Sequence, residues 1–325
     1  MSNKWKFFWV ASLSLVIFFQ ACGVVHSWEE FIVSTTDEKK MGREFDSLVW
    51  IKHGDVVKSG EEIFVPNTPE EQALYEYYQA RGREMVNLID KKDMDGILTS
   101  EKLCRNDITN KNQAVSCKKE NFFEFKIIKS ETKNAFAVPG GYVYFYTKIL
   151  KPTSSNTNSG FKSESELMSV MGHEIGHVVL HHSRDRIVKQ VGAATIINLL
   201  LGDGMGAVLA NLGASFWLLS NSREDESQSD SMGFYYTSKM GISSKGLSDF
   251  FERGLKKNSA GQCDKAENAS AGDVFSTHPP SCERVLANDD KIIRYGTQNL
   301  PMDLHTSPKP FKELVCDAFN IVPCP

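Results

Sequence analysis

The pattern of apolar and polar positions changes character along the chain. From Asp37 to Trp50 a charged face carries Met41, Phe45 and Leu48 at helical spacing, which predicts an amphipathic helix. The stretch from there to Pro69 is punctuated by Gly and Pro and reads as loop. Thr68-Pro69-Glu70-Glu71 then supplies an N-cap, a proline at the first helical position and acids at the positive end of the dipole. A second helix is expected from there to about Ile89. Between Phe122 and Thr147 the chain turns to strand-forming residues. Phe122–Lys129, Ala135–Val138 and Tyr142–Thr147 are rich in aromatic and β-branched side chains, and Pro139-Gly140-Gly141 turns the chain between the last two. After a Ser/Asn/Thr-rich loop from Lys151 to Gly160, Ser163 and Glu166 have the spacing of a capping box that opens a further helix. Val191 to Ser220 has Asp203 as its one formal charge. Gly202, Gly204 and Gly206 split it into pieces short for a bilayer, so two buried helices or a flap over a cleft are expected rather than a span. Any exposed part of it can touch membrane or a hydrophobic substrate. Ser222 to Asp230 is a carboxylate-rich helix start, and the end of the chain from Leu300, with five prolines, reads as mostly irregular.

Composition narrows the partners. An apolar fraction of 41% and a charged fraction of 24% are those of an ordinary globular protein. A net charge of −4, with no basic run interleaved with aromatics, gives no basis for nucleic-acid binding. Lys4 and Lys6 precede a run from Phe7 to Phe19 that is apolar apart from two serines, the form of an export signal too short to span a bilayer. It ends in Phe19-Gln20-Ala21-Cys22-Gly23, which resembles a bacterial lipobox with Phe19 where Leu is usual. The expectation is cleavage before Cys22, lipidation of its thiol, and a lipid-anchored protein of the cell envelope facing the periplasm. Gly23 in place of Asp favours the outer membrane. The six other cysteines are an even set in an exported chain, so disulfides are expected, by proximity Cys104–Cys117, Cys263–Cys282 and Cys316–Cys324. None has C-x-x-C spacing, which argues against a cysteine zinc site. Asp93-Met94-Asp95-Gly96 imitates a calcium loop, but Lys91 and Lys102 stand where acidic ligands are needed, so it reads as a polar turn. The chain divides into a signal peptide (1–21), an N-terminal tail and first helix (22–69), a main domain (70–295) and an irregular, disulfide-stapled end (296–325).

The chemistry concentrates in His173-Glu174-Ile175-Gly176-His177. On a helix, residues four apart share a face, so the two imidazoles can bind one zinc ion while Glu174 is placed to take a proton from water. A catalytic zinc needs a third protein ligand and an open position. The long metzincin motif is absent, because Leu180 and Ser183 stand where Gly and His are required. His181 would continue the row of ligands along the helix, a poor tetrahedral fit. Glu224 and Glu226 are the better-placed candidates. Farther on, Thr277-His278-Pro279 is weak evidence by itself.

Taken together, His173-Glu174-x-x-His177, Ser222-Arg223-x-x-Glu226-x-x-x-Asp230-x-x-Gly233, Thr277-His278-Pro279 and the Asn134–Val143 segment resemble the HtpX-like (CAAX-prenyl-protease-like) zinc metallopeptidase family, in its periplasmic lipoprotein branch. The resemblance covers roughly residues 35–295. It implies an α+β fold, a mostly helical gluzincin-type domain with a small sheet beside the active-site helix. It also implies Glu226 as third ligand and Asp230 as acceptor for a ligand imidazole. His182 matches a histidine that often follows the motif. His278 matches one that either stabilises the oxyanion or fills the open position at rest, and Arg284 matches an arginine that supports it. Ser229 departs from the usual Ala. The family's chemistry is zinc-dependent hydrolysis of peptide bonds, here of unfolded or misassembled envelope proteins, with substrate extended along the Tyr142–Tyr146 strand. The alternative is a non-catalytic, chaperone-like envelope lipoprotein that binds unfolded outer-membrane proteins.

Overall fold

The computed structural model describes residues 33, 35–50, 62–89, 122–151, 160–192, 221–255, 278, 281–304 and 307–324. The export signal, Cys22, the calcium-like turn, Cys104, Cys117, Cys263 and most of the Val191–Ser220 stretch lie outside them.

Alternation along the strands organises the structure. Strands β1 (Glu62–Ile63), β2 (Glu124–Lys129), β3 (Ala135–Val138) and β4 (Tyr142–Tyr146) form one sheet in the order β1-β2-β4-β3. Strand β2 runs parallel to β4, pairing Glu124 with Tyr142 and Ile128 with Tyr146, while β1 and β3 are antiparallel to their neighbours. Tyr142, Tyr144 and Tyr146 point to one face and Val143 and Phe145 to the other, as a period of two requires. All five are buried because each face is covered. Helix α1 (Thr35–Trp50) covers the tyrosine face with Met41 and Phe45. It is pinned by Lys39, whose ammonium donates to the carbonyls of Phe122 (2.7 Å) and Gly140 (2.9 Å), and by Asp46, which accepts from the Tyr144 hydroxyl at 2.7 Å. Helix α2 (Pro69–Asn87) and the motif-bearing α4 (Glu164–Val179) cover the other face, with Leu74, Met85, Met171 and Ile175 in its core. The short α3 (Thr147–Leu150) follows β4, and α5 (His182–Val191) follows α4. The α+β arrangement expected from the sequence is the one observed.

Two differences matter for function. The Tyr142–Tyr146 strand, expected to offer a sheet edge, is interior, because β3 returns alongside it and takes the edge. Tyr146 N–H donates to Asn134 C=O at 3.0 Å. By antiparallel alternation, Ala135 and Ala137 then turn their peptide groups outward from β3. The end of the chain, expected to be mostly irregular, carries helix α9 (Phe311–Ala318), which docks on α2 through a Tyr77–Phe311 ring stack at 5.8 Å. Cys316 and Cys324 are joined in a disulfide; Cys282 is also disulfide-bonded, to a partner outside the described residues. Among the described residues no helix is long and apolar enough to cross a membrane.

Helix α6 (Arg223–Lys239) lies tight against α4 because both present glycine at the crossing. A Cβ on Gly233 would come within 3.0 Å of the Ser169 carbonyl oxygen and 3.1 Å of His173 N. Helices α7 (Lys245–Glu252) and α8 (Cys282–Arg294) pack beside this pair. Gly246 on α7 meets the start of α4 still more closely, at 2.3 Å from Ser165 C for an added Cβ. Backbone cannot yield there as a flexible side chain would. Gly246→Ala is therefore expected to destabilise by about 1–3 kcal/mol as overpacking, read as a lower urea midpoint at unchanged slope.

Candidate metal centre

Helix α4 is capped by Ser163, whose hydroxyl accepts from Glu166 N–H at 3.3 Å. The reciprocal arm differs from the expected box: the Glu166 carboxylate accepts from Lys162 N–H at 2.8 Å and pairs with Arg253. Residues 302–304, from the segment after the main domain, complete this helix end. Asp303 accepts from Glu164 N–H (2.8 Å), Met302 C=O from Ser165 N–H (2.8 Å), and Glu164 accepts from Leu304 N–H (2.6 Å). Helix α6 starts with a full capping box between Ser222 and Asp225. Glu226 sits in its first turn, buried, while Glu224 is exposed and accepts from Gln228.

Four donor groups converge between α4, α6 and His278. The ligand atoms of His173, His177, Glu226 and His278 lie within 4.8 Å of one another, and all four residues are buried. His173 Nε2 is 3.0 Å from His177 Nε2 and 3.2 Å from His278 Nδ1. Glu226 Oε1 is 3.4 Å from His177 Nε2 and 2.8 Å from His278 Nδ1. A tetrahedral ion bonded at about 2.0–2.1 Å holds its ligands roughly 3.3–3.4 Å apart, and these separations scatter around that value, so the residues suit a small metal ion. Imidazole and carboxylate donors suit a zinc-like ion. Glu174 is fully buried beside them, with Oε1 3.3 Å from His278 Nε2 and neither oxygen hydrogen-bonded among the described residues.

The outer ring orients the ligands. Asp230 Oδ1 lies 2.9 Å from His173 Nδ1, and His182 Nδ1 lies 2.8 Å from His177 Nδ1, so each motif imidazole has its far nitrogen engaged. If His177 uses Nε2 for a metal, its Nδ1–H donates to His182, whose own Nε2–H then donates to Gln228 Oε1 at 3.0 Å. Arg284 forks onto both Asp230 oxygens at 2.7 Å and reaches Glu226 Oε2, also at 2.7 Å.

Burial and charge set the protonation states. Burial raises the Glu174 pKa, against the pull of His278 and His173. Burial also pushes His177 well below the ordinary histidine value. For Glu226, burial acts upward, but His278, Arg284 and His173 outweigh it and hold the carboxyl well below its usual range. Asp230 is likewise depressed, by Arg284 above all against the same burial effect. His278 is raised, because Glu174 and Glu226 outweigh its burial.

Residues 104–291 match the model of peptidase family M48. The chain belongs to peptidase family M48. The metallopeptidase-family resemblance read from the motifs is thus borne out. Its relatives include metalloprotease LoiP of Escherichia coli, 26% identical over 178 residues, or 53% of this chain and 64% of LoiP. Metalloprotease YcaL of the same organism is 30% identical over 183 residues, 52% of this chain and 61% of YcaL. The E. coli β-barrel assembly-enhancing protease is 28% identical over 170 residues, 48% of this chain and 32% of that protein. The match spans less than two thirds of each relative's own length.

In this M48 peptidase, His173, Glu174, His177, Glu226, Asp230, His278, His182 and Arg284 all meet at one centre. His181 does not. Helix α4 stops at Val179, and His181 adopts a left-handed conformation (φ 59°) and bonds Glu38 at 2.7 Å instead. Two residues that sequence reasoning passed over also stand at the centre, Asn221 and Arg186. Asn221 Nδ2 donates to Glu226 Oε1 at 2.9 Å, and Arg186 Nη1 donates to Asn221 Oδ1 at 3.0 Å. Asn221 immediately precedes the Ser222 cap, which is the one sequence cue that it faces the site.

Proposed function

We propose that this protein is a zinc endopeptidase of the bacterial cell envelope that cleaves unfolded or misassembled proteins. The observation that carries this reading is the convergence of His173, His177 and Glu226 on one buried point with Glu174 beside them. In this reading those three residues hold zinc. When bound, zinc acts as a Lewis acid and makes water acidic enough to ionise near neutral pH.

The chain's own groups supply the remaining steps. Glu174, its basicity increased by burial, takes the proton of the attacking water and delivers it to the departing amine. Asp230 and His182 keep the two motif imidazoles in register, and Arg284 holds Glu226 and Asp230 ionised and fixed. His278 stands among the ligand atoms, which supports the reading that it fills the open position at rest and swings away when substrate enters. The outward edge of β3, where Ser183 Oγ donates to Ala137 C=O at 3.1 Å and Ala137 lines the cavity beside Glu174, supports β3 in place of β4 as the strand an extended substrate joins. Main-chain pairing tolerates varied side chains, which suits unfolded substrates. The N-terminal signal and Cys22 support a lipid-anchored protein facing the periplasm, at the outer membrane.

The test uses the purified full chain. Chelation with 1,10-phenanthroline is expected to stop cleavage of β-casein, and stoichiometric zinc to restore it. Binding of casein without cleavage by the zinc-loaded protein would instead establish the chaperone-like lipoprotein.

A further inference from the structure

We propose that Asn221 is a catalytic hydrogen-bond donor, presenting one amide N–H to the carbonyl oxygen of the bond being cleaved, with Arg186 fixing its orientation. The proposal rests on the peptidase reading above. An asparagine amide is ordinarily ambiguous, because its oxygen and nitrogen look alike. Here Arg186 removes the ambiguity. A guanidinium carries only donors, so the atom 3.0 Å from Arg186 Nη1 is the acceptor oxygen. The amide nitrogen is therefore turned to the ligand cluster. It lies 2.9 Å from Glu226 Oε1, 3.3 Å from His278 Nδ1 and 3.5 Å from His177 Nε2.

Glu226 Oε1 and His278 Nδ1 are only 2.8 Å apart, so seen from the amide nitrogen they lie in nearly the same direction, and one N–H directed between them serves both. With zinc bound, the lone pair of His177 Nε2 is committed to the metal, and when His278 leaves, its place falls to the substrate. The oxygen that then meets this N–H is the scissile carbonyl. Placement supports the same conclusion. Asn221, Arg186, Glu174, His177, His278 and Ala137 of the edge strand line one small cavity. The donor, the base and the strand that would hold the substrate backbone thus look into the same space.

The chemistry needs such a group. As water attacks, the carbonyl π pair moves onto oxygen, which becomes anionic. When the C–N bond breaks, that pair returns to re-form the carbonyl, and the amine leaves with the proton carried by Glu174. A neutral donor already aimed at this oxygen gains strength as the charge grows and needs no reorganisation. Arg186, part-buried beside the amide, orients it by donating to its oxygen, and acts through Asn221 as a positioning residue.

The experiment compares the zinc-loaded wild type with Asn221→Ala, Asn221→Asp and Arg186→Met on labelled β-casein. It measures kcat, KM, zinc content and the binding of a phosphinic peptide that mimics the tetrahedral state. For both Asn221 variants kcat is expected to fall about 10²-fold, and phosphinic-peptide affinity to fall in parallel. KM and zinc content should stay within about two-fold, since only an interaction made in the transition state is lost. Arg186→Met should lower kcat in the same direction. Unchanged kcat in both Asn221 variants overturns the proposal. So does a kcat loss that tracks zinc loss, because Asn221 would then serve only to hold Glu226. If Asn221→Ala misfolds, Asn221→Asp, nearly isosteric, decides alone. A zinc-loaded wild type that leaves casein intact overturns the peptidase reading itself, and this assignment with it.

Discussion

Glu174→Gln is expected to slow peptide-bond cleavage by about 10²- to 10⁴-fold, the contribution of a positioned general base, with zinc content unchanged. Glutamine keeps the shape of the side chain and cannot accept the proton. The native carboxylate is fully buried, and its neighbours are the ligand cluster and His278. Burial moves its pKa upward, toward the pH at which it must collect a proton. Casein turnover measured beside atomic-absorption zinc analysis distinguishes the outcomes. Full turnover in the variant would remove Glu174 from the chemistry. Lost zinc would make it part of the metal site instead.

Arg284→Leu is expected to cost the metal-free protein about 3–5 kcal/mol of stability, the usual consequence of stripping one partner from a buried ion pair. Arg284 faces two buried carboxylates at once, at 2.7 Å each, and its guanidinium lies 4.3 Å from the centre of the Phe251 ring. Removal leaves Glu226 and Asp230 as adjacent buried charges without their shared guanidinium, with only the neighbouring imidazoles beside them. Lysine should not rescue the variant, because a point charge cannot fork to two carboxylates. The sign of the pH effect follows from Asp230. Arg284 holds its folded-state pKa below the unfolded value, so this stabilisation is complete above about pH 4 and is lost as the pH falls below it. Urea unfolding of chelated wild type and variant at neutral and acidic pH should therefore show a gap that narrows on acidification. A difference of less than about 1 kcal/mol at neutral pH would mean that the pair contributes no more than an exposed one.

Local patterns carried much of this fold. The strands from Phe122 to Tyr146 announce themselves by aromatic and β-branched residues, and the helix starts at Pro69, Glu164 and Arg223 by their caps. Strand order was not legible, because the parallel pairing of β2 with β4 depends on which strand returns alongside β4, and no local signal encodes that. Helix α9 was hidden by prolines that border it rather than interrupt it: Pro310 is its N-cap. At the site, His173, Glu174 and His177 stand out by spacing alone. Glu226 needed the family resemblance, although a physical cue was present. Glu226, Asp230, Gly233 and Thr237 recur at intervals of four, three and four, a small and polar stripe that only an inward-facing helix side with a buried polar task would carry. Asn221 and Arg186 are 35 residues apart and meet only in three dimensions.

The caps that Met302 and Asp303 place on the first turn of α4 have a bearing on timing. A ribosome makes residues 173–177 well before it makes residues 302–304, so the N-terminal end of the helix that bears the motif gains these contacts only once that later segment has been made. The pairing of Glu164 with Leu304 then joins early and late chain. A nascent copy halted before that point has the His173–His177 motif without the finished support beneath it. The support of the motif helix is thereby long-range, set by residues 139 and 140 positions apart in sequence.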